Sequence, residues 1–204
     1  MRDLYYHGAN RISMIMQDPR YSLNPVMRVG TQIAEAFLAH TGSNKKEAKE
    51  RAMEMLNIVQ IRNPETVYNQ YPHQVSGGMG QRIMIAMMLI PNPEVIIADE
   101  PTSALDVTVQ LQILALIDEM VKERNMGLIL ISHDLQLVSS FCDHVVVMYG
   151  GQIMEILPAN ELKNAKHAYT RGLLECLPSL DRKKQSLPIL ERDPVWLESN
   201  TNIK

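Results

Sequence analysis

The stretch that decides the fold runs Val95-Ile96-Ile97-Ala98-Asp99-Glu100-Pro101-Thr102-Ser103-Ala104-Leu105-Asp106. It opens with four apolar residues, three of them β-branched, and two carboxylates follow directly. A short apolar run of this kind predicts a buried strand, and the carboxylates then lie at its carboxyl end. An acidic pair at a strand end is commonly just a turn with a helix cap. The attached Pro-Thr-Ser-Ala-Leu-Asp segment favours a functional site instead.

Similar apolar runs occupy 12–16, 128–131 and 145–149, and we expect all four to be strands buried on both faces. Between them lie segments with helical periodicity. In 107–124 the apolar residues that recur at helical spacing are Leu111, Leu114, Ile117 and Val121. Alternating strands and helices predict an α/β fold with a parallel sheet. A hairpin is expected at Gly150-Gly151, with 152–156 as its return strand.

Residues 27–90 interrupt this alternation and are predicted to be mostly helical. Within 45–59 one face carries apolar residues and the other is mostly charged, which predicts an amphipathic helix. Its expected buried residues are Ala48, Ala52, Met55, Leu56 and Val59. A further helix is predicted from 79 to 90, stopped at Pro91.

A second informative stretch reads Tyr71-Pro72-His73-Gln74-Val75-Ser76-Gly77-Gly78-Met79-Gly80-Gln81-Arg82. Ser76, Gly77 and Gly78 offer a hydroxyl and two unhindered backbone amides just before a helix. Such a helix start is a favourable place for an anion. A lone Ser-Gly-Gly is a flexible loop in most proteins, but the longer stretch is far more specific.

In this order, the two stretches resemble the signature loop, Walker B strand and D-loop of an ATP-binding-cassette (ABC) ATPase. The resemblance implies ATP and Mg²⁺ as cofactors. It gives Asp99 a role in holding the metal and Glu100 the role of orienting or deprotonating the attacking water. In the family, Ser76, Gly77 and Gly78 would contact the γ-phosphate bound by a dimer partner, and Asp106 would link the two sites. Asp106 is alternatively a simple N-cap, and both roles are compatible.

Two further residues gain a role from this resemblance. Gln17, in Ile15-Met16-Gln17-Asp18-Pro19, resembles the Q-loop glutamine, which meets the metal or the water. Taken alone, a Gln beside Asp-Pro is more simply a turn residue. His133, in Ile131-Ser132-His133-Asp134, resembles the switch histidine, whose imidazole contacts the γ-phosphate.

The phosphate-binding P-loop of the family, G-x-x-x-x-G-K-[ST], does not occur in these 204 residues, since no Lys is followed by Ser or Thr. We therefore interpret the chain as a partial P-loop NTPase core that lacks its N-terminal P-loop part. The predicted domain covers 1–180, with a helical subdomain at about 27–90 and a C-terminal tail at 181–204 in which Trp196 is the expected anchor. Without the P-loop strand the sheet would expose strand edges, so we expect the chain alone to be poorly folded or inactive.

Other segments resemble the ATP-binding subunits of bacterial oligopeptide, dipeptide and nickel importers. They are Met14 to Pro19, Ser22 to Pro25, Ala104 to Gln110 and His167 to Leu174. This resemblance implies two membrane-spanning permease subunits, a second ATPase subunit, identical or related, and a substrate-binding protein acting indirectly. The expected location is the cytoplasmic face of the inner membrane, as a peripheral subunit. One departure is Gly80, where a long or basic residue is usual; glycine there weakens the helix start by about 1 kcal/mol.

Composition limits the classes of protein to which the chain can belong. The chain is 46% hydrophobic with a net charge of -3, which suits a folded domain and gives no broad basic field for nucleic acid. Cys142 and Cys176 show no metal-ligand spacing. No apolar run approaches the roughly 20 residues of a membrane span, and no secretory signal opens the chain.

Three functions follow from these patterns. The first is the ATPase subunit of a peptide-type importer. The second is an inactive cassette that donates Ser76 to Gly78 and Asp106 to a partner ATPase. The third is a cassette acting on nucleic acid or ribosomes, for which the sequence shows no coiled-coil insert, second cassette or basic arm.

Overall fold

The computed structural model describes residues 11–103 and 105–177 of the chain. The chain divides into two compact units, Met1–Ile131 and Ser132–Lys204. The predicted tail at 181–204, Trp196 and the predicted domain end at residue 180 all lie outside the described residues.

The first unit contains a parallel three-stranded sheet, so the predicted α/β fold with a parallel sheet is confirmed. Its strands, in spatial order, are β1 (Ile12–Ile15), β2 (Val95–Asp99) and β3 (Gly127–Ile131). β2 is central and pairs in parallel with both neighbours. Because parallel strands need long crossovers, the helices of this unit lie between the strands in sequence.

The two faces of this sheet differ. One face is buried and carries Ile15, Ile96 and Ala98. On the opposite face the pairing register places three isoleucines that are about half exposed: Ile12 at 50%, Ile129 at 53% and Ile131 at 46%. We call this second surface the open sheet face. The prediction that these strands are buried on both faces is wrong, because the described residues cover only one face.

Within residues 11–103 and 105–131, the first unit has six α-helices and a 3-10 helix at Pro72–Gln74. The α-helices are α1 (Pro19–Ser22), α2 (Val29–His40), α3 (Lys45–Ile58), α4 (Pro64–Asn69), α5 (Gly77–Leu89) and α6 (Val107–Glu123). The Asn44 side chain caps α3 by accepting from the backbone N–H groups of Lys46 and Glu47. All five apolar residues predicted for the inner face of 45–59 are buried, so that prediction is confirmed. α5 begins two residues earlier than predicted and ends just before Pro91.

The buried face of α6 overlaps the predicted apolar stripe but does not coincide with it. Leu111 is 62% exposed and Val121 is only partly buried. The buried residues are Ile113, Leu114, Leu116, Ile117 and Met120. Leu114 and Ile117 of the predicted stripe are buried and Val121 packs against the core, so only Leu111 lies off the buried face. The broad apolar surface of α6 made two stripes equally compatible with helical periodicity.

The second unit is built on an antiparallel hairpin. Its elements are α7 (Leu135–Phe141), β4 (His144–Tyr149), β5 (Gln152–Pro158) and α8 (Ala168–Glu175), with a 3-10 helix at Ala159–Asn164. The predicted hairpin is confirmed, and both of its glycines have positive φ, 56° at Gly150 and 81° at Gly151. β4 pairs with β5 in antiparallel fashion, as the predicted return strand at 152–156 requires.

Among the described residues, no helix is long and apolar enough to cross a membrane. Cys142 and Cys176 do not form a disulfide. Burial raises the pKa of the Cys142 thiol, and the neighbouring Asp143 carboxylate adds to that rise. Cys142 is therefore mostly a neutral thiol at physiological pH.

Candidate functional site

Two of the predicted site residues meet at the carboxyl ends of β1 and β2. Ile15 of β1 lies opposite Ala98 of β2, and a polar side chain lies two residues beyond each of them, Gln17 and Glu100. The Gln17 Nε2 donates a hydrogen bond of 2.9 Å to the Glu100 Oε2. The parallel register thus joins two residues that are 83 positions apart in the chain.

The backbone at Glu100 is unusual. Its φ is 42°, in the left-handed region that non-glycine residues seldom adopt. The N–H of Glu100 donates to the carbonyl of Ile131 at 3.0 Å, and its own carbonyl accepts from the Ser103 N–H at 3.2 Å and the Ser103 hydroxyl at 3.3 Å. These bonds stabilise a sharp exit from β2. Residues held in such conformations cluster at functional sites, which makes this turn a candidate for chemistry.

Asp99 is the last residue of β2 and lies opposite Ile131 of β3, partly buried. Asp99, Glu100 and the Gln17 amide supply oxygen atoms at one edge of the sheet. Oxygen ligands are those that Mg²⁺ prefers, and Mg²⁺ usually takes only one or two from protein, the rest being water and phosphate. Within 11–103 and 105–177, no group of three or more His, Cys, Asp and Glu is arranged to hold a metal alone. The residues present therefore fit a Mg²⁺ carried by a nucleotide.

The predicted anion site forms the start of α5. The Ser76 Oγ caps the helix by accepting from the Met79 N–H at 3.3 Å. Gly77 is exposed, and a Cβ placed on it would meet nothing within 4 Å. Amides in the first turn of a helix have no partner within the helix, and the helix dipole favours an anion there. Ser76, Gly77 and Gly78 therefore offer an accessible end to a phosphate group.

Asp106 is the N-cap of α6, as Ser76 is the N-cap of α5. Its Oδ1 accepts from the Val109 N–H at 3.0 Å, which is the N-cap geometry expected from the sequence. The same Val109 packs against the signature loop, since a Cβ on Gly78 would lie 3.0 Å from the Val109 Cγ1. The structure therefore places the Ser76 loop beside the Asp106 loop within the first unit. A link from Asp106 to a second chain remains a prediction.

His133 lies in the second unit, two residues after β3 ends. The Ser132 hydroxyl accepts from the Asp134 N–H at 3.1 Å, and the Asp134 side chain caps α7. These bonds define the local turn that carries the exposed imidazole. The predicted contact of His133 with a γ-phosphate stays a prediction.

Sequence reasoning gave Arg82 no role. The side chain is only 9% exposed, and its guanidinium donates to the Val59 carbonyl at 2.9 Å, to the Gln60 Oε1 at 3.4 Å and to the Gln112 Oε1 at 3.1 Å. Burial lowers the pKa of this guanidinium. A signal was present, because an arginine that directly precedes the apolar helix stretch 83–90 is buried with it and needs a set of acceptors.

The fold is that of solved ATP-binding cassettes. One solved structure of this kind is the dimeric ATP-binding cassette MJ0796 in a post-hydrolysis state with ADP and Pi, which matches at a TM-score of 0.64 and 25% identity over 74% of this chain and 63% of that one. CbiO1 from Clostridium perfringens, part of the ABC transporter complex CbiONQ, matches at a TM-score of 0.66 and 28% identity over 81% of this chain and 64% of that one.

Sequence comparison narrows the class further. The family model described as "ABC transporter" matches residues 4–103. The dipeptide transport ATP-binding protein DppD of Haemophilus influenzae is 49% identical over 90% of this chain and 56% of its own length. The oligopeptide transport ATP-binding protein OppD of Bacillus subtilis is 50% identical over 85% of this chain and 49% of its own length. The chain belongs to the ABC transporter family of ATP-binding proteins, and it spans about half the length of these curated relatives.

Proposed function

We propose that this chain is part of an ATP-binding and ATP-hydrolysing subunit that energises peptide import across the inner membrane. The similarity to dipeptide and oligopeptide transport ATP-binding proteins supports the cargo class. The partners that this function requires are membrane-spanning permease subunits, a second ATPase subunit and, indirectly, a substrate-binding protein. The subunit then works at the cytoplasmic face of the membrane.

The observation that carries the proposal is the hydrogen bond between Gln17 and Glu100. In the proposed mechanism the Glu100 carboxylate orients the attacking water and accepts its proton. Gln17 holds that carboxylate through its amide N–H, which leaves the Gln17 oxygen for a metal. Asp99 would hold Mg²⁺ at the same sheet edge, directly or through water. When bound, Mg²⁺ neutralises the charge that develops on the phosphates.

The remaining phosphate contacts are proposed to come from outside these residues. The 204-residue sequence contains no G-x-x-x-x-G-K-[ST] motif, so the ATP cradle belongs to another part of the protein or to a partner. The second candidate function follows from the same point. In it, the chain donates Ser76, Gly77, Gly78 and Asp106 to a nucleotide bound by a partner ATPase. The adjacency of the Ser76 and Asp106 loops in one unit supports this donor role.

One experiment separates the two functions. The DNA upstream of the Met1 codon is sequenced, and the longest protein in that frame is assayed for ATP hydrolysis with and without Glu100→Gln. If the chain is part of a hydrolysing subunit, the frame continues through a P-loop motif. Glu100→Gln then lowers turnover by a factor of about 100 or more.

A stop codon that closes the frame before any P-loop motif would contradict the hydrolysing role and leave the donor role. Ser140→Ala is the matched control, because this exposed serine lies on α7 and its hydroxyl bonds only locally, to the Leu137 carbonyl at 2.9 Å. We expect Ser140→Ala to leave turnover unchanged.

A further inference from the structure

Arg82 lies on α5, six residues after the signature serine Ser76, and its guanidinium reaches two other helical elements. Val59 and Gln60 follow α3, whereas Gln112 lies on α6. The acceptors of all three bonds are uncharged oxygens. Arg82 therefore joins the end of α3, the first half of α5 and the first half of α6 at one point.

The chemistry of the arginine head suits this task. A buried cation is costly unless its donors are well satisfied, and the lowered pKa of Arg82 reflects that burial. A planar guanidinium presents five N–H donors in a fixed fork, so it can hold acceptors from different helices in a defined geometry. A side chain that only filled space there would not need this head group.

A second contact joins α5 and α6 near their starts. The absence of a side chain at Gly78 lets Val109 approach, and Val109 is also the residue whose N–H is capped by Asp106. Arg82 and Gln112 lie about one turn further along each helix. The two contacts together restrain both the separation and the relative rotation of the helix starts.

We propose that Arg82 is a positioning residue that fixes α5 against α6. In this arrangement Ser76 and Asp106 reach a nucleotide as one rigid body. Their separation is set by the Arg82–Gln112 bond and the Gly78–Val109 contact. The benefit for catalysis rests on the proposed function, but the rigidity itself is a property of this chain and is measured separately.

The test measures the distance between spin labels on the two helices of the full chain. Cys142 and Cys176 are replaced by Ser, and labels are attached to Gly77→Cys and Glu119→Cys. Both positions are exposed, and Gly77 has open space for a side chain. Glu119 lies about 18 Å along α6 from Val107, which gives a separation suited to pulsed electron paramagnetic resonance.

Matched variants separate the α6 bond from the other bonds of Arg82. Gln112→Ala removes only the bond to α6, whereas Gln60→Ala removes only a bond to the residues after α3. We expect a narrow distance distribution in the wild type and in Gln60→Ala. The width should roughly double in Gln112→Ala and in Arg82→Met. Circular dichroism checks that each variant keeps its helix content, and Gln112→Ala alone decides the result if Arg82→Met fails to fold.

An unchanged distribution in Gln112→Ala, or a wild-type distribution as broad as that of Gln112→Ala, would overturn the positioning role. Adding the chain to an ATPase subunit that has a P-loop gives the independent readout. Broadening with a fall in the partner's turnover supports both proposals. Broadening without any effect of Ser76→Ala on turnover supports the positioning of α5 against α6 and contradicts only the role proposed for Ser76 at a partner's nucleotide.

Discussion

Glu100 combines a candidate catalytic carboxylate with an unusual backbone conformation. Its positive φ turns the chain out of β2, and the Ile131 and Ser103 hydrogen bonds hold that turn. The side chain is then available to Gln17 across the strand ends. The sequence predicted both residues at strand ends, but it did not predict their bond, because the order of strands in the sheet decides which ends are neighbours.

Gly80 gives a direct test at the scale of one residue. It lies in the first turns of α5, and a Cβ placed there would lie 3.5 Å from the Pro19 Cγ, an ordinary contact distance. Glycine costs helix stability through backbone entropy, so Gly80→Ala should raise the free energy of unfolding by about 1 kcal/mol. Urea unfolding followed by circular dichroism measures the change.

The matched control is Gly78→Ala in the same helix. Its Cβ would lie 3.0 Å from the Val109 Cγ1, so the Val109 side chain must give by a few tenths of an ångström, and this variant should gain less stability than Gly80→Ala. Equal effects of the two alanines, in either direction, would contradict the packing described for the start of α5.

Glu155 shows how one carboxylate joins two elements of the second unit. It lies on β5 and accepts from the N–H groups of Lys166 at 2.7 Å and His167 at 3.3 Å, just before α8. Burial raises the pKa of Glu155, but the nearby Thr170 hydroxyl and the hydrogen bonds from these two amides outweigh that effect and hold the pKa below its ordinary value. A depressed pKa means that the carboxylate stabilises the folded unit above the unfolded pKa.

We therefore predict that the stability of the second unit depends on pH through the titration of Glu155. The stabilisation is present above about pH 4.3, the unfolded value, and is lost as the pH falls through the lower folded value. Glu155→Gln should cost about 1 kcal/mol at neutral pH and much less at about pH 3. Thermal unfolding at both pH values measures this, with Glu161→Gln as the control in the same unit. A loss of equal size at both pH values would show that Glu155 acts by packing alone.

The open sheet face makes a separate prediction for β3. This strand is at the edge of the described sheet and presents Ile129 and Ile131, each about half exposed. Exposed apolar faces and free strand edges favour association. Ile129→Thr with Ile131→Thr should therefore lower the binding of an apolar fluorescent dye by roughly half and reduce light scattering. Unchanged dye binding would mean that other residues cover this face in solution.

At the scale of the whole molecule, the sequence predicted the parts better than their assembly. The strands 12–16, 95–98 and 128–131, the amphipathic helix at 45–59 and the hairpin at Gly150 follow from local patterns, and the structure contains them. The order of β1, β2 and β3 in the sheet was not predicted, because an apolar strand pattern does not identify its pairing partner. Arg82 was missed for the same reason, since its acceptors are 22 to 30 residues away.

The central claim is that the Ser76 loop acts on ATP held by a P-loop outside these 204 residues. Its most direct test is ATP turnover by the chain alone, by a P-loop-bearing peptide-transport ATPase subunit alone, and by their mixture. We predict no turnover by the chain alone. ATP turnover by the mixture should exceed turnover by the subunit alone. Ser76→Ala should reduce that gain by at least about tenfold. Hydrolysis by the purified chain alone, or a gain in the mixture that Ser76→Ala leaves intact, would contradict the account.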